Sequence, residues 1–167
     1  RMSGGAPPLG RRSRGISVEE VLLAALTQRR GLPRLCAIME HWLERTAVEA
    51  ASGCIWISGA TEYDDRPGAV REELVAMVRS WQRELSRAAQ QALEAGDLRP
   101  GMQVAEMVFE LYGVVLVLHH DTRLLNNPDS LARARRVFHR ILAAYAVPER
   151  LQAHERAQTA APASLQF

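Results

Sequence analysis

The stretch from Val104 to Leu118, VAEMVFELYGVVLVL, decides the fold of this chain. Apolar side chains recur in it at helical spacing, and after Tyr112 the segment is apolar nearly all round. A helix of this kind has to be buried on two sides. It contains Glu110 and falls short of the roughly 18 apolar residues that a membrane span requires. We therefore predict the central helix of a soluble helical bundle.

Five further segments around this helix are also predicted to be helical. The third, Cys54 to Tyr63 (CIWISGATEY), has β-branched residues that would suit a strand, but no partner strand is evident, so we interpret it as a short buried helix. The first helix begins at a capping box formed by Ser17 and Glu20 and ends at Gly31. The second runs from Pro33 to about Ala51, and the long fourth helix runs from Val70 to Gly96. The last runs from Leu131 to Tyr145 and is ended by Pro148. The predicted fold class is all-α, a bundle of about six helices.

The two ends of the chain differ from the middle in composition. Residues 1–15 hold four Arg, four Gly and two Pro with almost nothing to bury, which predicts a flexible basic arm. We assign residues 16–147 to one helical domain. Residues 148–167 form a C-terminal tail that we expect to fray, with a short helical extension as the alternative.

Charge and cysteine content narrow the class of protein. All 21 basic residues are Arg, and against 19 acidic residues they leave a net charge of only +2, too small for a strongly nucleic-acid-seeking surface. Cys36 and Cys54 are too few for a disulfide framework or a zinc site and are interpreted as two buried thiols. No secretory signal is evident, so we expect a cytoplasmic protein without membrane contact.

Catalytic and metal-binding patterns are weak. Glu62, Asp64 and Asp65 could bind a metal, but an Asp-rich turn beside Pro and Gly is more often solvated for backbone reasons. His119, His120 and Asp121 are neighbours, and successive helical side chains point about 100° apart, which disfavours a shared metal site.

Glycine-rich phosphate loops and the usual hydrolase motifs are also missing from the sequence. The only candidates for a small helical enzyme are His41, Glu62 and Tyr63, and nothing arranges them as nucleophile and base. We predict no catalytic residue, no metal and no cofactor.

Aromatic and methionine residues suggest an apolar pocket instead. The three tryptophans lie on three different predicted helices, and Met and Tyr residues lie near the same apolar faces. The alternative is an ordinary core, which from spacing alone is the more frequent outcome. Cys54 could sense oxidants or electrophiles, although an inert buried thiol is the simpler interpretation.

The segment from Gly53 to Leu98 resembles the effector-binding domain of tetracycline-repressor-like (TetR/AcrR family) regulators. The resemblance rests on Gly53-Cys54, on Glu62 with DDRPG before Val70-Arg71, on Trp81 and on the Ala95-Gly96-Asp97-Leu98 ending. The segments on either side of Gly53 to Leu98 also resemble the family pattern. They are GLPRL from Gly31 followed by Trp42, AEMVFELYG from Ala105, and the Arg-rich last helix. The resemblance extends over about Ser17 to Ala146.

This resemblance implies the sensing part of a bacterial transcription regulator, expected to be a repressor. It also implies a small, partly hydrophobic effector and a homodimer formed mainly by the last two long helices. The pocket candidates, chosen by helix face, are Met39, Trp42, Trp56, Tyr63, Met77, Trp81, Met107 and Tyr112. The dimer candidates are Leu111, Val115, Leu118, Leu131, Phe138 and Ile141.

The chain departs from the family at its start. Family members read DNA with an N-terminal helix-turn-helix of about three helices, which a 15-residue arm cannot hold. We therefore expect a fragment or a truncated product that contacts DNA only through a domain absent here. An alternative function is a stand-alone dimerisation partner that titrates intact regulators into inactive heterodimers; a small helical enzyme is a further alternative.

Overall fold

The computed structural model describes residues 18–50 and 53–160, so the predicted arm at residues 1–15 lies outside the described residues. Seven helices and no strand occur in these ranges. The helices are α1 (Val18–Leu26), α2 (Leu32–Ala50), α3 (Ile55–Glu62), α4 (Ala69–Glu94), α5 (Val104–Arg123), α6 (Ser130–Tyr145) and α7 (Pro148–Ala160). The all-α fold class predicted from periodicity is confirmed.

Helix α5 lies at the centre of the bundle and packs against α2, α4 and α6. Its side chains at Met107, Leu111, Val115 and Leu118 are buried, as the nearly continuous apolar pattern requires. Helix α1 packs on α2, and α3 packs on α4. None of the described helices is long and apolar enough to cross a membrane.

The start of α2 is anchored by the loop that follows α4. The buried Asp97 carboxylate accepts a hydrogen bond from the Leu32 backbone N–H, at 2.9 Å, which satisfies one of the donors that a helix start leaves unpaired. Gly31 has φ +102°, and a Cβ there would collide with that carboxylate, so only glycine suits the position. Leu32 and Asp97, which are 65 residues apart in the sequence, are thus joined by one hydrogen bond.

The C-terminal segment differs from the fraying tail that we expected. Residues 148–160 form α7, the helical alternative, and it packs against α2 and α6. Pro148 is its first residue, where the missing backbone N–H costs nothing because a first-turn N–H has no intrahelical acceptor. Pro148 therefore ends α6 and begins α7.

One further expectation is corrected. Helix α3 is not a buried helix: none of its side chains is fully buried, and Ile55 is exposed, because α3 lies on the outside of α4.

The arginine-rich helix α6 is tied to α2 by ion pairs. The Arg135 guanidinium donates to the Glu40 and Glu44 carboxylates of α2, at 2.9 and 2.5 Å, and ties α6 to α2.

Candidate functional site

An aromatic cluster lies between α2, α4 and α5. The indole rings of Trp42 and Trp81 stack with centroids 4.1 Å apart and an interplanar angle of 5°. The ring of Tyr112 tilts by 57° against Trp42 at 5.7 Å. Both indoles are almost fully buried because their positions fall on the inward stripes of α2 and α4. Contacts between aromatic rings therefore connect the three helices.

A small cavity of about 20 Å³ adjoins this cluster, enough for about one water molecule. The indole N–H of Trp56, a buried donor, has no hydrogen-bond partner among the described residues. Burial raises the pKa of the Tyr112 phenol above its usual value of 10.0, with a smaller contribution from Cys54. The cavity is therefore apolar, with one unpaired donor at its wall. Its lining consists of Trp42, Cys54, Trp56, Ile57, Met77, Val78, Trp81, Tyr112, Val115 and Leu116.

Five of the eight pocket candidates lie together in this lining: Trp42, Trp56, Met77, Trp81 and Tyr112. Met39 and Met107 do not belong to it. Both are fully buried in the main core. Tyr63 lines a separate surface groove between α3 and α4, with the Arg66 guanidinium 5.5 Å above its ring. These three candidates are therefore placed elsewhere than we expected.

Other residues of the lining were not chosen from the sequence as pocket residues. Cys54 precedes α3 as its N-cap residue, and its burial beside Trp56 follows from the way that α3 folds back on α4. Val78 is the chain neighbour of Met77, and Leu116 lies four residues after Tyr112, so helical spacing could have indicated both.

A second, wider cleft opens beside the cavity. It has a volume of about 1190 Å³ and lies between the end of α2, α3, the second half of α5 and the connection to α6. Ile57 and Leu116 line both the cleft and the aromatic cavity. These two side chains therefore form a wall that the cleft and the cavity share.

The dimer candidates lie mostly inside the single chain, which corrects the choice of side chains. Leu111, Val115, Leu118, Phe138 and Ile141 are buried in its core, and only Leu131 is partly exposed. Periodicity indicates an apolar stripe, but it does not tell whether that stripe packs inside the chain or against a second copy. A second copy could not reach these side chains without opening the bundle.

An apolar groove nevertheless lies on the outer face of α5 and α6. Gly113, Val114, Val117, Ala134 and Val137 line it, with Asp121 and Arg133 at its rim. Val117 is 65% exposed, and Phe109, two helical turns before it, is 81% exposed. A Cβ added at Gly113 would meet nothing within 4 Å among the described residues, so another helix could approach closely there.

The two metal-site alternatives find no support in the geometry. In the described part of the chain no group of three or more His, Cys, Asp or Glu side chains could hold a metal ion. Asp121 accepts a hydrogen bond from the Ser130 hydroxyl at 2.8 Å and stabilises the turn between α5 and α6. Asp64 and Asp65 are exposed in a turn, as the solvated interpretation expects.

The residues named for an enzyme are not joined either. Glu62 is exposed, and its ion-pair partner is Arg66, at 3.7 Å. Within residues 18–50 and 53–160, no hydrogen bond or ion pair connects any two of His41, Glu62 and Tyr63. These three side chains are therefore not arranged as a nucleophile with an adjacent base.

Comparisons with known proteins agree with the all-α fold. Residues 31–138 match the family model described as the tetracyclin repressor-like, C-terminal domain. The fold is similar to the crystal structure of a TetR transcriptional regulator from Chloroflexus aurantiacus J-10-fl, with a TM-score of 0.61 and 16% sequence identity, over 78% of this chain and 68% of that chain. No curated protein matches the chain.

The fold is an all-helical bundle with an internal aromatic cavity. The family model covers more than half of the 167 residues. The chain belongs to the family of tetracycline-repressor-like C-terminal domains, which are parts of transcriptional regulators, and the resemblance inferred from the sequence is confirmed.

Proposed function

We propose that this chain is the effector-sensing and homodimerising part of a bacterial transcriptional regulator. We place this regulator in the cytoplasm and propose that it is a repressor. DNA would be read by a separate helix-turn-helix domain of that regulator. The observation that carries the sensing proposal is the aromatic cavity, where Trp42, Trp56 and Trp81 from three different helices meet around an unpaired indole N–H.

The small volume of the cavity defines how sensing would work. About 20 Å³ cannot hold an effector, so a ligand has to separate side chains before it binds. The Trp42–Trp81 stack spans α2 and α4, and its separation would move these helices against each other. An effector that favours the separated arrangement would shift the population toward it and change the spacing of two DNA-reading domains.

The outer face of α5 and α6 supports the homodimer. Its groove is almost entirely apolar, and an uncovered apolar patch of this kind commonly marks an interface. Glu106 and Glu110 are exposed on α5, while Arg136 and Arg140 are exposed on α6. A twofold interface that pairs α5 of one copy with α6 of the other would bring acidic and basic side chains together.

Intrinsic fluorescence tests the sensing proposal directly. The chain has three tryptophans and all of them line the cavity, so any ligand that enters it changes their emission. We expect members of a library of small, partly hydrophobic compounds to quench or shift the emission saturably. Native mass spectrometry of the same samples would show a dimer carrying the compound. A library that leaves both the emission and the mass unchanged would contradict sensing.

A second candidate function is that of a dimerisation partner that titrates intact regulators. The nearly filled cavity favours it, because the packed bundle has no need of a ligand. It predicts subunit exchange with an intact regulator at a rate independent of any added compound. Mass-resolved heterodimers that form equally well with and without ligand would support this alternative over sensing.

A further inference from the structure

An exposed ridge of α5 separates two depressions of the surface. On one side of the ridge lies the apolar groove between α5 and α6, and on the other side lies the wide cleft that extends to α3. Val117 lines both depressions and is 65% exposed. A partner that covers the groove at Val117 therefore also reaches the edge of the cleft.

The groove alone is too small for the interface of a stable dimer. Nine described residues line it, whereas a standard interface takes about 20–30 residues from each partner. A second copy therefore has to cover surface beyond the groove. On the far side of α6 that surface carries the exposed Arg136 and Arg140, and charged side chains are depleted in the centre of interfaces.

On the far side of α5 the surface is apolar. Leu116 and Leu124 are 38% and 65% exposed, and both line the cleft. An interface gains more by extending in this direction, because apolar side chains are removed from water there. A second copy seated on the groove would then lie across the opening of the cleft.

The cleft by itself is wider than a ligand pocket. Its volume of about 1190 Å³ exceeds the roughly 300–1,000 Å³ that is typical of pockets, which enclose most of the surface of a ligand. The exposure of Val117 and Leu124 shows that the α5 side of the cleft is open to solvent. A ligand held by one chain alone would therefore keep a large part of its surface in water.

We propose that the partner copy forms the outer wall of this cleft, so that a largely apolar effector is held between two chains. One copy contributes α3 and α5, and the α5–α6 face of the other copy covers the bound compound. Ile57 and Leu116, which line both the cleft and the aromatic cavity, would connect this interface with the Trp42–Trp81 stack. The inference rests on the proposed sensing and homodimer and specifies where the effector is held.

Size-dependent cysteine labelling tests for the outer wall without any ligand. Ser58 of α3 is exposed and lines the cleft, so Ser58→Cys in a full chain that also carries Cys54→Ala places a thiol there. N-ethylmaleimide should label this thiol in the dimer. A maleimide that carries a long polyethylene glycol chain should label it at least about tenfold more slowly in the dimer than in a monomer. Val48→Cys, 70% exposed on α2 and outside the cleft lining, is the control and should be labelled equally fast in both.

Two variants provide the monomer. Gly113→Arg fills the groove with a long side chain, and replacing a glycine within α5 favours the helix. Val137→Asp places a charge in the groove from α6 and provides a second monomer if Gly113→Arg does not fold. Neither residue lines the cleft, and sedimentation velocity verifies that each variant is monomeric. In both variants the long reagent should label Ser58→Cys as fast as it labels Val48→Cys.

Binding of octanol, followed by tryptophan emission, tests where the effector is held. We expect the monomeric variants to bind octanol at least about tenfold more weakly than the dimer does, because one side of the bound compound stays in water. Since the coupling is reciprocal, octanol should also lower the dissociation constant of the dimer.

The outcomes separate this inference from the function on which it rests. If the long reagent labels Ser58→Cys equally fast in dimer and monomer, the outer wall is overturned and the homodimer stays supported. Equal octanol affinity of dimer and monomer would place the effector within one chain and leave sensing supported. No octanol binding by either form would overturn the largely apolar effector. A chain that is monomeric at every concentration would overturn both the inference and the homodimer.

Discussion

Trp42 of α2 and Trp81 of α4 stack face to face, with ring centroids 4.1 Å apart. This contact is at once part of the core and part of the candidate effector site. Rings of this size dominate the energetics of a small core, and their separation is also the simplest way to enlarge a cavity that is almost filled. Stability and sensing are therefore expected to oppose each other at this pair.

Trp81→Ala should lower the free energy of unfolding by about 3–5 kcal/mol, because it removes a buried aromatic ring and leaves a cavity. Urea unfolding followed by circular dichroism measures this loss. The same variant should bind larger apolar compounds than the unmodified chain does. A loss below about 1 kcal/mol would show that the ring does not pack as described.

Asp97→Ala should lower the free energy of unfolding by about 1–3 kcal/mol, because the Leu32 N–H at the start of α2 loses its acceptor. Asp97→Asn keeps an acceptor oxygen and should lose less. Asp65→Ala, in the exposed turn, is the control and should change stability by less than about 0.5 kcal/mol. Thermal and urea unfolding check all three. Equal effects of Asp97→Ala and Asp65→Ala would contradict the anchoring role.

Val117→Asp should weaken the proposed dimer at least about tenfold, because a charge in the centre of an apolar interface lacks a partner. Sedimentation velocity over a range of concentrations measures the dissociation constant. Val48→Asp is the matched control, since Val48 is 70% exposed on α2 and Val117 is 65% exposed on α5. If both variants dimerise like the unmodified chain, the α5–α6 groove is not the interface.

Stability should fall in mild acid because of His119. Burial, together with Arg123 and His120, lowers its pKa in the folded chain below the ordinary value of 6.5. Between the lowered pKa and 6.5 the unfolded chain binds more protons than the folded one does, so the free energy of unfolding decreases as the pH falls. The stability is fully present above about pH 6.5, the unfolded-state pKa of histidine.

Urea unfolding at a series of pH values between 7.5 and 5 measures this dependence, a range chosen to span about one unit and more on each side of the histidine pKa. His119→Leu should flatten it. The pKa of His154 is also lowered, chiefly by burial, so His154→Gln should flatten it in part, and the double variant most. An unchanged slope in the double variant would contradict this explanation.

Cys36 should resist alkylation in the folded chain. Burial, followed by the nearby Glu40, Asp97 and Glu155 carboxylates, raises the pKa of its thiol from 9.0 to about 12, so almost no thiolate forms at pH 8. In a Cys54→Ala background, iodoacetamide should label Cys36 only as fast as the chain unfolds. Rapid labelling without urea, detected by intact mass, would show that the thiol is accessible.

Local signals allowed most of the helices to be predicted. Gly31, Gly96 and Pro148 each end a helix through a local effect on the backbone. The spacing of Leu74, Trp81 and Leu85 indicates the buried face of α4 without knowledge of the helices that cover it. The same spacing correctly predicted that Trp42 and Trp81 face inward. It could not separate Tyr63 from them, because the direction of Tyr63 depends on how α3 docks on α4.

The amino-acid sequence by itself determined that this chain forms helices and where most of them begin and end, because caps, glycines and helical periodicity act within a few residues. The family was inferred from the resemblance of the motifs between Gly53 and Leu98 and of their flanks. Only the tertiary structure decided which stripe of α5 faces inward, since a helix that is apolar nearly all round offers more than one stripe to its neighbours. Leu118 is buried while the adjacent Val117 stays exposed because α2, α4 and α6 cover only part of the circumference of α5. The same packing decides that Arg135 of α6 binds Glu40 and Glu44 across 95 and 91 residues, a distance over which no local signal operates.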